Sequence, residues 1–214
     1  MDPSHDLVLE LTVAARPPLV PELCLRLATE GCPLWRAGEA ELKRVGLTDP
    51  YWAFAWPGGQ ALARHVLDHH ALVRGQGVLD FGCGGAIAGL AALKAGAASV
   101  LAADVDPVAL EAAQVNAALN ATLLFTTSRD LVGVDEGWDV VLAGDVLFEA
   151  APAARTLAWL RSLAARGALV LVGDPHRGFF DAAGAELLAE YDAPSDVDVD
   201  GRFPRATGVW RLRA

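Results

Sequence analysis

An acid, a knot of glycines and a second acid are the residues of this 214-residue chain best placed to handle a charged nucleoside. The run Val78-Leu-Asp80-Phe-Gly82-Cys83-Gly84-Gly85-Ala follows an apolar stretch and opens a small-residue segment. Glycines there allow a tight turn and let ligand atoms approach the backbone. Asp80 narrows the choice of ligand. A diphosphate would sit on this turn and on the helix N-terminus behind it, and two like charges 4 Å apart repel by roughly 4 kcal/mol at an effective dielectric near 20. S-adenosylmethionine has no phosphate and carries an α-ammonium that a carboxylate attracts. Asp104, 24 residues after Asp80, ends the next apolar run and suits ribose hydroxyls. Asp106, followed by Pro107, reads as a helix N-cap. Cys83 and Val105 accompany these acids as cofactor neighbours. Asp130 in Ser128-Arg-Asp130 stands where an adenine contact is expected, with a solvated loop almost as good a reading.

The methyl acceptor would meet Gly144-Asp145-Val-Leu-Phe148-Glu149. An amine nucleophile must enter, lose a proton and align its lone pair. An acid (Asp145) holds the incoming ammonium, an aromatic face (Phe148) packs against its stem, and the rest is positioning. Enzymes that methylate DNA or RNA bases often carry Asp/Asn-Pro-Pro-Tyr/Phe here, and both prolines are absent. Trp52, Phe54 and Trp56 serve equally well as a lid over the site or as core. His65 and His69, four apart, are expected to favour a helix C-terminus rather than a metal. Arg177 in Gly173-Asp-Pro-His-Arg177 either receives an acidic protein surface or pairs with Asp174.

The elements that would position these residues alternate. Strands are expected at Gly77–Phe81, Ser99–Ala103, Leu123–Thr126, Trp138–Gly144 and Ala168–Gly173, with helices at 86–95, 107–120 and 152–165. Near-continuous apolar strands separated by helices mean a parallel sheet covered on both faces. The fold class is α/β: a doubly wound, mostly parallel seven-stranded sheet with an antiparallel C-terminal edge strand over Arg205–Arg213. Before it, Leu23 to Arg44 reads as one or two short helices broken at Gly31-Cys32-Pro33, and a further helix runs from about Gly59 to His70. Residues 1–58 are taken as a helical and aromatic cap on the domain formed by 59–214.

Composition narrows the partners. A formal net charge of -10, with Lys43 and Lys94 the only lysines, argues against a nucleic-acid partner, which needs clustered cations. Three cysteines with no CxxC pair fit a reducing cytoplasm. The apolar runs are strand-sized, and the polar Met1–Asp6 does not read as a secretory signal. A cytoplasmic monomer with a protein or small-molecule substrate and no membrane partner is the expectation.

Several longer motifs resemble the electron transfer flavoprotein beta-subunit lysine methyltransferases, in their bacterial form, within the class I seven-strand methyltransferases. They are Pro50-Tyr-Trp-Ala-Phe-Ala-Trp-Pro-Gly-Gly-Gln-Ala-Leu-Ala-Arg64, Val78-Leu-Asp-Phe-Gly, Asp104-Val-Asp-Pro107, Gly144-Asp145-Val, Gly173-Asp-Pro-His-Arg177 and Val209-Trp-Arg-Leu212. The resemblance implies methyl transfer from S-adenosylmethionine to lysines of the flavoprotein beta subunit. It makes Asp80, Gly82 and Gly84 the methionine-side loop, Asp104 the ribose ligand, Trp56 a pocket wall, and Asp145 with Phe148 the acid-x-x-aromatic substrate motif. Ala86 stands where that family's loop usually has a third glycine, and Phe148 where tyrosine is common. The alternatives are a methyltransferase for ribosomal protein L11 or a small molecule, and a nucleoside-binding module without catalysis. On the ribose assignment, Asp104→Ala weakens cofactor binding by about 1–3 kcal/mol, the cost of unpaired hydroxyls. Unchanged affinity by calorimetry would remove Asp104 from the site.

Overall fold

The computed structural model describes residues 3–30, 32, 34, 39–44, 46, 47, 49–194 and 205–213. In chain order the elements begin with α1 (Pro3–Leu11), β1 (Val13–Ala15), β2 (Leu25–Leu27) and α2 (Glu39–Arg44). After a 3-10 turn at Tyr51–Ala53 come α3 (Pro57–Asp68), β3 (Gly77–Phe81), α4 (Ile87–Lys94), β4 (Ser99–Ala103) and α5 (Pro107–Leu119). The chain closes with β5 (Phe125–Thr127), β6 (Val140–Gly144), α6 (Ala150–Arg166), β7 (Leu169–Asp174), β8 (Ala185–Ala193) and β9 (Arg205–Leu212).

Seven strands form one sheet in the order β5-β4-β3-β6-β7-β9-β8, and a separate hairpin-like pair joins β1 to β2. The first five strands of the large sheet run parallel; β9 and β8 are antiparallel to their neighbours. The apolar character of the strands follows from burial on both faces. Val78, Val100, Leu142 and Leu171 pack with α3, α4 and α5 on one side. Leu79, Val141, Val170 and Val172 pack with Leu157, Leu160 and Leu163 of α6 on the other. Asp106 caps α5 as expected, its carboxylate accepting the Val108 N–H at 2.8 Å, with Pro107 in the first turn.

The antiparallel tail strand is present, but β9 lies one place in from the edge, which β8 occupies. The β8 segment, Ala-Glu-Leu-Leu-Ala-Glu-Tyr-Asp-Ala, is made largely of good helix formers, and pairing with β9 overrides that propensity. The helical reading of Leu23–Arg44 is corrected at Leu25–Leu27, while Glu39–Arg44 is helical as expected. Leu25 and Leu27 are buried and Arg26 between them is less so, the alternation of a strand, and the segment pairs with β1. Of the break expected at Gly31-Cys32-Pro33, only Cys32 is among the described residues. Among the described residues no helix is long and apolar enough to cross a membrane.

Glycine decides how closely α3 meets the sheet. A Cβ on Gly58 would stand 2.3 Å from the Gly173 carbonyl oxygen, and one on Gly173 would stand 2.2 Å from that of Gly58. One on Gly144 would lie 2.9 Å from the Gly59 Cα. Backbone therefore rests on backbone where the start of α3 crosses the ends of β6 and β7. Gly173→Ala has no flexible side chain to push aside, so it costs about 3 kcal/mol, the upper end for overpacking a well-filled core. Urea denaturation checks this; an unchanged midpoint would mean that α3 can move away from the sheet.

Candidate active site

The order β4-β3-β6 reverses the direction of winding between β3 and β6, and ligands of such sheets bind outside the strands' carboxyl ends at that point. A cavity of about 980 Å³ lies there. Its walls come from the ends of four strands: Phe81–Gly85 after β3, Asp104–Asp106 after β4, Gly144–Val146 and Phe148 after β6, and His176, Arg177 and Phe179 after β7. The 3-10 turn and Phe54–Trp56 close it from the N-terminal side.

The glycine loop turns at Gly82 (φ +63°) and Gly84 (φ +49°), and a Cβ on Gly82 would reach 2.6 Å from Val146. Asp104 binds the loop from the cavity wall: one carboxylate oxygen accepts the Gly84 N–H at 2.9 Å, the other the Asp106 N–H at 3.0 Å. The Cys83 N–H goes to Ala103 and the Ala86 N–H to Cys83. Three loop donors that a diphosphate would seek are thus already spent, and the nearest charge is negative. A nucleoside with a cationic tail fits this cradle, and a dinucleotide fits it poorly. Burial raises the Asp104 pKa, with the Asp106 and Gly84 N–H groups pulling it back.

Asp80 is placed differently from the expectation. It does not line the cavity; its carboxylate turns beneath the loop and accepts the Gly89 N–H at 2.8 Å inside α4. Burial pushes its pKa up to about 7, opposed by that hydrogen bond. Asp80 thus supports the loop from beneath, and Asp104 is the acid beside the loop that lines the cavity. Cys83 lines the cavity, but burial holds its thiol well above the ordinary range, which does not favour a nucleophilic thiolate. Ala86 takes the left-handed conformation (φ +61°) that a glycine would adopt freely, so the loop keeps its shape at a cost of about 1–2 kcal/mol.

Asp145 is the most constrained acid of the cavity. It too is left-handed (φ +58°), its own N–H donating to Gly173. One carboxylate oxygen accepts the Gly59 N–H at 2.8 Å, and the other accepts Arg177 Nη2 at 3.2 Å. The Arg177 guanidinium lies 5.5 Å from the Trp56 ring centroid. Trp56 is fixed in turn by donation from its indole N–H to the Tyr51 carbonyl at 2.7 Å. The side chain of Arg177 therefore pairs with Asp145, while Asp174 accepts the backbone N–H groups of Arg177, at 3.2 Å, and His176.

Phe148 is exposed at the mouth, with Tyr51 5.9 Å away between ring centroids. Val105 and Trp56 also line the cavity, and Trp52 is core, 1% exposed. Asp130 does not reach it. It sits on an exposed loop, accepting the Val132 N–H and pairing with Arg155 at 3.1 Å. His65 and His69 stack at 4.3 Å, and His65 meets Tyr191 at 3.1 Å. Among the described residues no group of three or more His, Cys, Asp or Glu is gathered to hold a metal ion. Sequence reasoning missed Tyr51, Phe179 and the Gly59 N–H. Gly58-Gly59 behind a helix-starting proline was the available signal, since paired glycines in a first turn mark a close backbone approach.

The family profile described as "Ribosomal protein L11 methyltransferase (PrmA)" matches residues 61–157. The electron transfer flavoprotein beta subunit lysine methyltransferase of Xenopus laevis is 45% identical over 210 residues, 95% of this chain and 84% of that protein. The protein of the same description from Danio rerio is 36% identical over 200 residues, covering 90% and 76%. Among solved structures, magnesium protoporphyrin IX methyltransferase from Synechocystis with bound SAM is similar in fold. Its TM-score is 0.54 at 20% identity, covering 73% of this chain and 80% of that one.

Burial raises the Asp145 pKa from 3.8 to about 6, and the Arg177 charge and the Gly59 N–H resist the rise. A carboxyl whose pKa is higher folded than unfolded contributes stability that is present below the unfolded value and lost as pH climbs through the folded one. The difference is worth about 3 kcal/mol. Asp145→Asn removes that titration. Its stability relative to the wild type accordingly improves by about 3 kcal/mol from pH 4 to 7, levelling above 6. Denaturant curves at several pH values measure it, and a pH-independent difference would contradict the shift.

Proposed function

This chain belongs to the electron transfer flavoprotein beta subunit lysine methyltransferases, and from that premise we propose that it methylates lysine side chains of such a beta subunit. It is a methyltransferase that uses S-adenosylmethionine. The observation that carries the substrate reading is the paired acid at the cavity's inner end: Asp145, with an aromatic wall at Trp56 and an aromatic mouth at Phe148 and Tyr51. A long, flexible amine with an apolar stem fits this channel, whereas a flat base would need stacking partners on both faces.

S-adenosylmethionine, when bound, supplies a methyl group on a cationic sulfur. Gly82, Cys83 and Gly84 would hold its methionine side, Asp104 its ribose and Val105 the edge of its adenine. Asp145 accepts a hydrogen bond from the incoming lysine nitrogen and turns its lone pair toward the methyl carbon. Phe148 and Tyr51 cover the four-carbon stem and exclude water. Positioning of this kind supplies several kcal/mol of barrier lowering without any acid or base chemistry. Phe148 has no hydroxyl, so aromatic packing is its whole contribution.

Residues 1–58 form a cap on the same domain as 59–214 in this reading, and the protein acts as a monomer. Three free cysteines support a reducing, cytoplasmic setting. The acidic net charge supports a protein substrate over nucleic acid. Incubation of a source lysate with methyl-tritiated S-adenosylmethionine should label the flavoprotein beta subunit. Asp145→Ala should lose most of that turnover, on the order of 100-fold, for a lost orienting contact. Label found in acid-soluble small molecules or in RNA alone would sink the assignment.

A further inference from the structure

The turn after β7 places a cation where the substrate brings another. Arg177 bonds Asp145 at 3.2 Å and covers the face of Trp56. Its side chain is 19% exposed, and its Nε is buried with no hydrogen-bond partner. Water therefore screens this charge weakly. The backbone also pins it: the Arg177 N–H donates to Asp174, directly after His176 in the left-handed region at φ +57°. A side chain held at its backbone, its ring face and its carboxylate is not free to swing toward a docking partner.

A lysine enters water-borne as an ammonium, whose nitrogen has no lone pair to give. A bare carboxylate at Asp145 would stabilise that unreactive form. A carboxylate already neutralised by a guanidinium keeps its acceptor lone pairs but offers the incoming cation little net attraction. We infer that Arg177 is a positioning residue that keeps the substrate amine neutral while Asp145 orients it; the inference rests on the methyltransferase reading above. The amine's proton leaves to water at the mouth. Its freed lone pair then forms the nitrogen–carbon bond as the carbon–sulfur pair returns to sulfur. The positive charge passes from sulfur to the methylated nitrogen, and the step balances.

The other charged and titratable groups near the pair are few. Asp174 and His176 come from the same turn, His176 being paired with Glu190 at 3.1 Å. Asp49 and Glu149 line the same cavity, and their charges and that of Arg177 all act on Tyr51. α3 contributes the Gly58 and Gly59 N–H groups. Arg177 is thus the cation in direct contact with Asp145, and removing it raises the carboxyl's pKa as well as that of the bound amine.

Arg177→Met keeps an apolar stem on Trp56 without the charge, and Arg177→Lys keeps the charge. Tritiated methyl transfer to a purified electron transfer flavoprotein beta subunit, followed from pH 6 to 10, separates kcat from KM. In Arg177→Met the acid limb of kcat moves up by about one pH unit, a tenfold loss at pH 7 that closes by pH 10, with KM not raised. Arg177→Lys restores at least half of the lost rate. A loss equal at all pH values, or one confined to KM, overturns the inference. If wild-type enzyme labels no protein, the functional reading fails instead, and 13C NMR titration of the Asp145 carboxyl decides. Its midpoint must rise in Arg177→Met, and an unmoved midpoint refutes the role.

Discussion

Everything at the cavity hangs on the contact between the first turn of α3 and the carboxyl ends of β6 and β7. Gly58, Gly59, Gly144 and Gly173 bring two backbones to van der Waals distance without side chains between them. That approach lets a helix N-terminus reach the Asp145 carboxylate with a backbone N–H. Helix N-termini carry partial positive charge, so the acid is met by a fixed dipole on one oxygen and a guanidinium on the other. Asp145 is held in a left-handed backbone conformation that costs about 1–2 kcal/mol for a residue with a side chain. His176, at the end of the neighbouring strand, does the same. Strain at adjacent strand ends, over-determined by surrounding backbone contacts, is the usual mark of a site that must be rigid.

The second constraint is electrical. Asp80, Asp104, Asp145 and Asp174 crowd the carboxyl edge of the sheet, and burial raises the pKa of all four. Each is answered by backbone N–H groups, and Arg177 is a full charge placed among them. A site of this sign repels diphosphates, in keeping with a sulfonium donor.

Much of this was readable in the residue order. Asp104, Asp106 and Asp145 were located because a parallel strand reads as a short apolar run, and its end fixes where a ligand can lie. The glycine loop carried its own context of strand before and helix after. What escaped had physical causes. Asp80 lies in a β-strand where a change of face swaps the cavity floor for the underside of α4, and composition does not record which face a lone acid takes. The partner of Arg177 was undecided because Asp145 lies 32 residues away, while Asp174 is close by in sequence. β8 was missed because its residues favour helix, and β2 because three residues are too few to show a period. Asp130 was placed by its distance along the chain, which says nothing about the direction of a loop.

The aromatic 3-10 turn has a consequence for traffic through the cavity. Trp52 is buried in the core that α1 and α5 share, and the Ala53 carbonyl accepts the Ala28 N–H at 2.8 Å. Gly85 lies against the Trp52 carbonyl, and Asn116 ties Gly85 to the Arg26 backbone near the β1–β2 pair. A flap riveted on both flanks does not hinge. Opening of the cavity to a ligand therefore falls to its exposed rim, where Val105 and Phe148 lie, and not to this turn.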